Sequence, residues 1–230
     1  MKSTKLVAGV ALMAGMITAG LFAEDAAKHI TYTDAAKVPA GTKPEGAVYT
    51  FVDPADAAVK DIAQAGYRAI DQVGSKLVNE TTRELAARDT QLAVAVLHLK
   101  NLEMPKSPEG APKITAVKRT SLHIRNPANT PDGADRAALM KISDQLTDEG
   151  TAAKMLVQKI EQAGKPVEWR VYRPIAVSKS CLACHGDPTK FAPGVKEALD
   201  QQYPLDQATD YSAQAWRGVI RVNVEPVAAK

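Results

Sequence analysis

The chain has 230 residues, with 29 Lys and Arg against 26 Asp and Glu, a formal charge of +3 and a mean hydropathy of −0.20. Its basic residues are interspersed with acids rather than clustered, which argues against a nucleic-acid partner. The length suits one core of ordinary size, and no second hydrophobic span follows the first.

Residues 1–23 have the grammar of a secretory signal: Lys2 and Lys5, an apolar run from Leu6 to Phe22, and Ala23 before Glu24-Asp25. Export to the periplasm is expected, with an inner-membrane tether if this segment stays uncleaved. Residues 24–50 mix Lys, Thr, Pro and Gly with little periodicity and read as an extended arm or linker. The domain proper is assigned to 51–230. Asp53-Pro54 offers an N-cap followed by proline, and Val59, Ile62, Ala69, Ile70, Val73 and Leu77 recur at helical spacing, so a helix is predicted over about 54–86. A second begins near Asp89-Thr90 and ends before Pro105; Leu92, Val94, Val96, Leu97 and Leu99 are so dense in it that burial is expected.

From Lys113 the pattern changes. Ile114 to Ile124 is rich in β-branched residues and stops at Arg125-Asn126-Pro127, as a strand would. Thr130-Pro131-Asp132 caps a helix to about Leu146, and strands over about 154–162 and 166–177 are joined by the turn Ala163-Gly164-Lys165. A helical segment near 194–201 precedes a last strand over about 218–224. Helices followed by an antiparallel sheet give an α+β class.

Between those strands lies Cys181-Leu182-Ala183-Cys184-His185, which holds the only two cysteines of the chain. Two thiols three positions apart can each add to one porphyrin vinyl group, and the adjoining imidazole is placed to bind the iron, so the run reads as a haem c attachment site. Haem c is attached beyond the bacterial inner membrane, so the export signal supports the motif independently. Zinc would need a fourth ligand and there is no second C-x-x-C. A thioredoxin-like dithiol would need a helix that Gly186 and Pro188 would break, and a plain disulfide leaves His185 without a purpose. Aromatic residues are only 5% of the chain, and a buried porphyrin would supply the missing flat apolar surface.

Four segments taken in order, Arg119 to Asp132, Tyr172-Arg173-Pro174-Ile175, Cys181 to Gly186, and Tyr203-Pro204-Leu205-Asp206 with Arg217-Gly218, resemble the periplasmic haem c domains with a PAS-like fold. That family includes single-haem c-type cytochromes and sensor regions of chemoreceptors and histidine kinases. The resemblance spans about residues 55–225. It implies an antiparallel sheet of about five strands, long N-terminal helices and one covalent haem c. Several members carry a distal cysteine on the helix before the sheet; here the window Ala93 to His98 has no thiol, which excludes a thiolate ligand.

The iron ligands expected are therefore His185 and, on the other side, His98, the histidine that interrupts the apolar helix. His123 ranks second, Met104, Met140 and Met155 are thioether alternatives, and His29 in the arm ranks last. Arg125 and Arg173 are offered for a haem propionate, with loop bracing as the competing role. The functional expectation is an electron carrier or redox sensor that meets a periplasmic partner protein. The alternative is a sensor module for a small gaseous ligand, NO or CO; an enzyme reading ranks third because no second catalytic constellation accompanies the motif.

Overall fold

The computed structural model describes residues 44, 46–97 and 102–227. The segments read as export signal and as most of the arm, together with His29 and His98, lie outside the described residues. No helix among the described residues is long and apolar enough to cross a membrane.

Five strands form one antiparallel sheet: β1 (Val48–Val52), β2 (Lys113–Thr120), β3 (Leu156–Glu161), β4 (Glu168–Ala176) and β5 (Trp216–Glu225), in the order β1-β3-β4-β5-β2. Five α-helices accompany them among the described residues: α1 (Lys60–Ala87), α2 (Thr90–Val96), α3 (Gly133–Asp148), α4 (Leu182–His185) and α5 (Val195–Gln202). The class is α+β, as expected.

Successive residues of a strand point to opposite faces, and here both faces are covered. Val157, Val171, Ile220 and Val222 pack beneath α1 against Ile62, Ala69, Ile70 and Val73. Their neighbours Leu156, Tyr172 and Val219 pack beneath α3 against Ala138, Leu139 and Ile142. Double coverage explains why β5 is buried almost without interruption rather than alternately. The helix α1 comes so close to β4 that a Cβ on Gly66 would stand 2.5 Å from the Val171 side chain. Beneath α3 the sheet carries charge. Asp135, wholly buried, lies 3.0 Å from both Lys118 Nζ and Arg170 Nη1 and 3.1 Å from Arg221 Nε.

Three elements differ from expectation. Helix α1 starts at Lys60 because the carboxylates of Asp53 and Asp56 accept from the amides of Ala55 and Ala58, making two short turns where one cap was anticipated. The chain from Val48, within the stretch read as an arm, pairs with β3, so a strand precedes the helices. Strand β2 ends at Thr120, whose hydroxyl donates to Asn129 O across the following loop; His123 and Arg125 are loop residues. Helix α3, by contrast, starts where predicted, with Asp132 and Asp135 forming a reciprocal capping box.

Candidate functional site

The buried residues of α1, Ile62 to Val73, belong to its first half. Between its second half and the chain after β4 is a cavity of about 590 Å³, within the range of ordinary ligand sites, ~300–1,000 Å³. Leu77, Val78 and Leu85 of α1, Val94 and Leu97 at α2, Ile175 of β4, Ile220 of β5 and Leu199 of α5 give it apolar walls. Dense apolar sequence at α2 thus faces the cavity in part rather than a closed core: Val94 is buried, but Leu92 and Val96 are exposed.

The motif forms the floor. After β4 the chain is pinned by two backbone bonds, Val177 N–H to Ala215 O at 2.9 Å and Gln214 N–H to Val177 O at 2.8 Å. It then makes a 3₁₀ turn (Lys179–Cys181) and the single-turn helix α4. Gly186 ends α4 where no side chain fits, since a Cβ would lie 2.7 Å from Leu182 O. The loop 206–215 clasps the motif from outside. Tyr211 N–H donates to His185 O and Asp210 N–H to Gly186 O, both at 2.9 Å, and within the loop Asp210 and Gln214 adopt left-handed backbone.

Cys181, Cys184 and His185 all line the cavity, and both thiols are free. Burial raises the Cys184 thiol pKa, partly offset by Arg125. His185 Nδ1 lies 2.7 Å from Ala208 O. A carbonyl can only accept, so Nδ1 carries the proton and Nε2 keeps its lone pair. Burial, then the charges of Arg217 and Arg125, hold this imidazole well below its usual pKa and therefore neutral. A neutral imidazole with one nitrogen anchored on a backbone carbonyl is the form that binds a metal. No cluster of three or more His, Cys, Asp or Glu suited to a metal ion occurs among the described residues.

Arg125 is the brace of this floor. Its Nε donates to Asp206 at 2.9 Å, and its Nη2 donates to Ala208 O at 3.2 Å and to Cys184 O. It thus ties the motif to the clasping loop. Arg173 faces the cavity from β4, with Nη1 2.6 Å from Asp71 of α1 and its guanidinium 5.0 Å from the Tyr67 ring centroid. Each arginine offered from the sequence already has a carboxylate.

Of the other expected ligands, His98 adjoins Leu97 in the sequence, and Leu97 lines the cavity; His98 itself lies outside the described residues. His123 is not among the described cavity-lining residues; its ring is 6.3 Å from that of Tyr211, which in turn stands 6.4 Å from that of His185. Met140 lies on α3 and packs against the core beneath it, Met155 borders the core beneath α1, and Met104 is exposed. None of these three is among the described cavity-lining residues. Sequence reasoning gave no role to Arg119, Tyr203 or Arg217, which line the cavity, nor to Asp206, Ala208 and Tyr211, which position the motif.

A family model described as Tll0287-like matches residues 53–225. Among solved structures, the crystal structure of the cyanobacterial heme-protein Tll0287 is similar at 24% identity, with a TM-score of 0.36; the match covers 50% of this chain and 63% of that one. The chain therefore spans less than two thirds of that neighbour's length. No curated protein matches it.

Proposed function

The chain belongs to the Tll0287-like family, and from that premise we propose that it is an exported, periplasmic single-haem c-type cytochrome on a PAS-like scaffold, acting in electron transfer or redox sensing. The observation that carries this reading is the His185 anchor: Nδ1–H bound to Ala208 O, Nε2 left free, and two thiols within the same turn of an apolar cavity. The residues fit the group. Cys181 and Cys184 would hold it covalently through their thiols, and His185 would bind its iron. When bound, the haem supplies one reversible electron. The chain's own part is to fix the imidazole through Ala208 and Tyr211, to hold the attachment turn through Arg125, and to exclude water with Leu77, Val94 and Leu97.

His98, next to Leu97, is the proposed sixth ligand, and a bis-histidine iron would resist added gases and pass electrons to a periplasmic partner protein. The alternative is a sensor for NO or CO with an open or displaceable sixth position, favoured by the apolar wall of Leu77, Val94 and Leu97. Absorption spectra of the oxidised and reduced protein, with and without CO, separate the two. Sharp low-spin bands that CO leaves unchanged, and that are lost or shifted in His98→Ala, support the electron carrier. A high-spin spectrum that shifts with CO supports the gas sensor.

A further inference from the structure

We propose that Arg119 and Arg217 form an anion-binding pair inside the cavity that holds the two propionates of the haem, an inference that rests on the haem reading above. Four guanidiniums border the cavity. Two are matched by acids, Arg125 by Asp206 at 2.9 Å and Arg173 by Asp71 at 2.6 Å. Arg119 and Arg217 have no carboxylate partner among the described residues.

Arg217 is held in place with no ion pair of its own, the Asp206 carboxylate acting on it only at longer range. Its Nη1 donates to His123 O at 2.9 Å, its guanidinium lies 5.3 Å from the Tyr211 ring centroid, and its Nε is buried with no hydrogen-bond partner. Arg119 sits on β2 opposite Ile220 of β5, and both residues line the cavity. Burial, then the neighbouring Arg217 and Arg125, push its guanidinium down to about 9. Burial lowers Arg217 as well.

Like charges gathered in a partly desolvated wall are costly unless something of opposite sign joins them. The surplus here is two positive charges, and the guanidinium fork matches a carboxylate in shape. A ligand carrying two carboxylates balances the wall. Because Arg119 lies on β2 and Arg217 on β5, both are set by the sheet, and the carboxylates they hold are fixed relative to the motif.

The test uses the holoprotein matured in a host with cytochrome c assembly machinery, as wild type, Arg119→Gln, Arg217→Gln, the double variant and the charge-keeping Arg119→Lys. The readouts are the propionate bending bands in the resonance Raman spectrum and the midpoint potential. Each Gln variant is expected to shift a propionate band and to lower the potential, because an unneutralised propionate favours ferric iron; the double variant shifts further, and Arg119→Lys recovers most of the potential. Unmoved bands and potential in haem-loaded Gln variants would overturn the proposal. Should the variants fail to accumulate, the wild type decides alone. A propionate band that shifts on transfer to D₂O is expected of a carboxylate held by exchangeable N–H donors, and a band that does not shift refutes the guanidinium hydrogen bonds. A wild type that carries no haem sinks the haem reading itself, a result distinct from loaded protein with unmoved bands.

Discussion

The brace at Arg125 makes the sharpest quantitative prediction. Its side chain is 9% exposed and that of its partner Asp206 10%, so Arg125→Met leaves a nearly buried carboxylate without its counter-charge and withdraws donors from Cys184 O and Ala208 O. Breaking a buried ion pair from one side costs ~3–5 kcal/mol, and the residual exposure places this case toward the lower end, about 3 kcal/mol. That is a large share of a total stability of roughly 5–15 kcal/mol. Asp206→Asn keeps an oxygen for the Ala208 amide, now 2.8 Å away, and removes only the charge. Urea denaturation followed by far-ultraviolet circular dichroism, on wild type, both single variants and the double, measures the coupling. The double variant is expected to cost at least about 1.5 kcal/mol less than the sum of the singles, and the yield of haem-loaded Arg125→Met to fall. Stability of Arg125→Met within about 0.5 kcal/mol of wild type would refute the bracing role.

Other perturbations probe the scaffold. Gly66→Ala gains helix propensity of about 1 kcal/mol but forces α1 off Val171, and overpacking of ~1–3 kcal/mol should leave a net loss in the urea midpoint; a gain would contradict the close approach. Asp135→Asn keeps the shape and strips the charge facing Lys118, Arg170 and Arg221. A loss of about 3–5 kcal/mol is expected in the same assay, with the haem spectrum unchanged wherever the protein stays folded. At Asp132 burial alone would raise the carboxyl, but the Asp135 amide and Arg170 outweigh it and hold the carboxyl below its usual range. Its contribution is therefore present above the unfolded value of about pH 4 and is lost as the pH falls through the lower folded value. The urea midpoint should drop in that window, and Asp132→Asn should flatten the drop. Gly186→Ala, with no room beside Leu182 O, should lower the yield of matured protein; unchanged yield would show that α4 relaxes freely.

The sequence made the sheet's inner strands legible for a physical reason, since β-branched runs and a Gly turn are local signals, and the C-x-x-C-H run proposed to hold haem is equally local. Strand β1 carried such a signal in Val48 to Val52 but was absorbed into the Pro- and Gly-rich stretch before it. The start of α1 was misplaced because an aspartate before proline serves equally as a helix cap and as a turn former, and Asp53 and Asp56 make turns. At α2 periodicity cannot distinguish packing against a core from lining a cavity, so Leu92 and Val96 were expected inside and are exposed. The brace was beyond the sequence altogether: Arg125 meets Asp206 across 81 positions, and no spacing rule relates them. Arg119 and Arg217 lay inside segments recognised as a set, yet nothing in one sequence shows that two arginines on β2 and β5 turn to the same space without a carboxylate.

The central claim is a covalent haem on Cys181 and Cys184 beside His185, and the most direct measurement is haem staining of the protein after a denaturing gel, following expression with cytochrome c assembly machinery. The account predicts that haem migrates with the wild-type polypeptide through denaturation and is absent from the Cys181→Ala/Cys184→Ala variant. A wild-type band that remains unstained while its polypeptide is abundant and folded would contradict it.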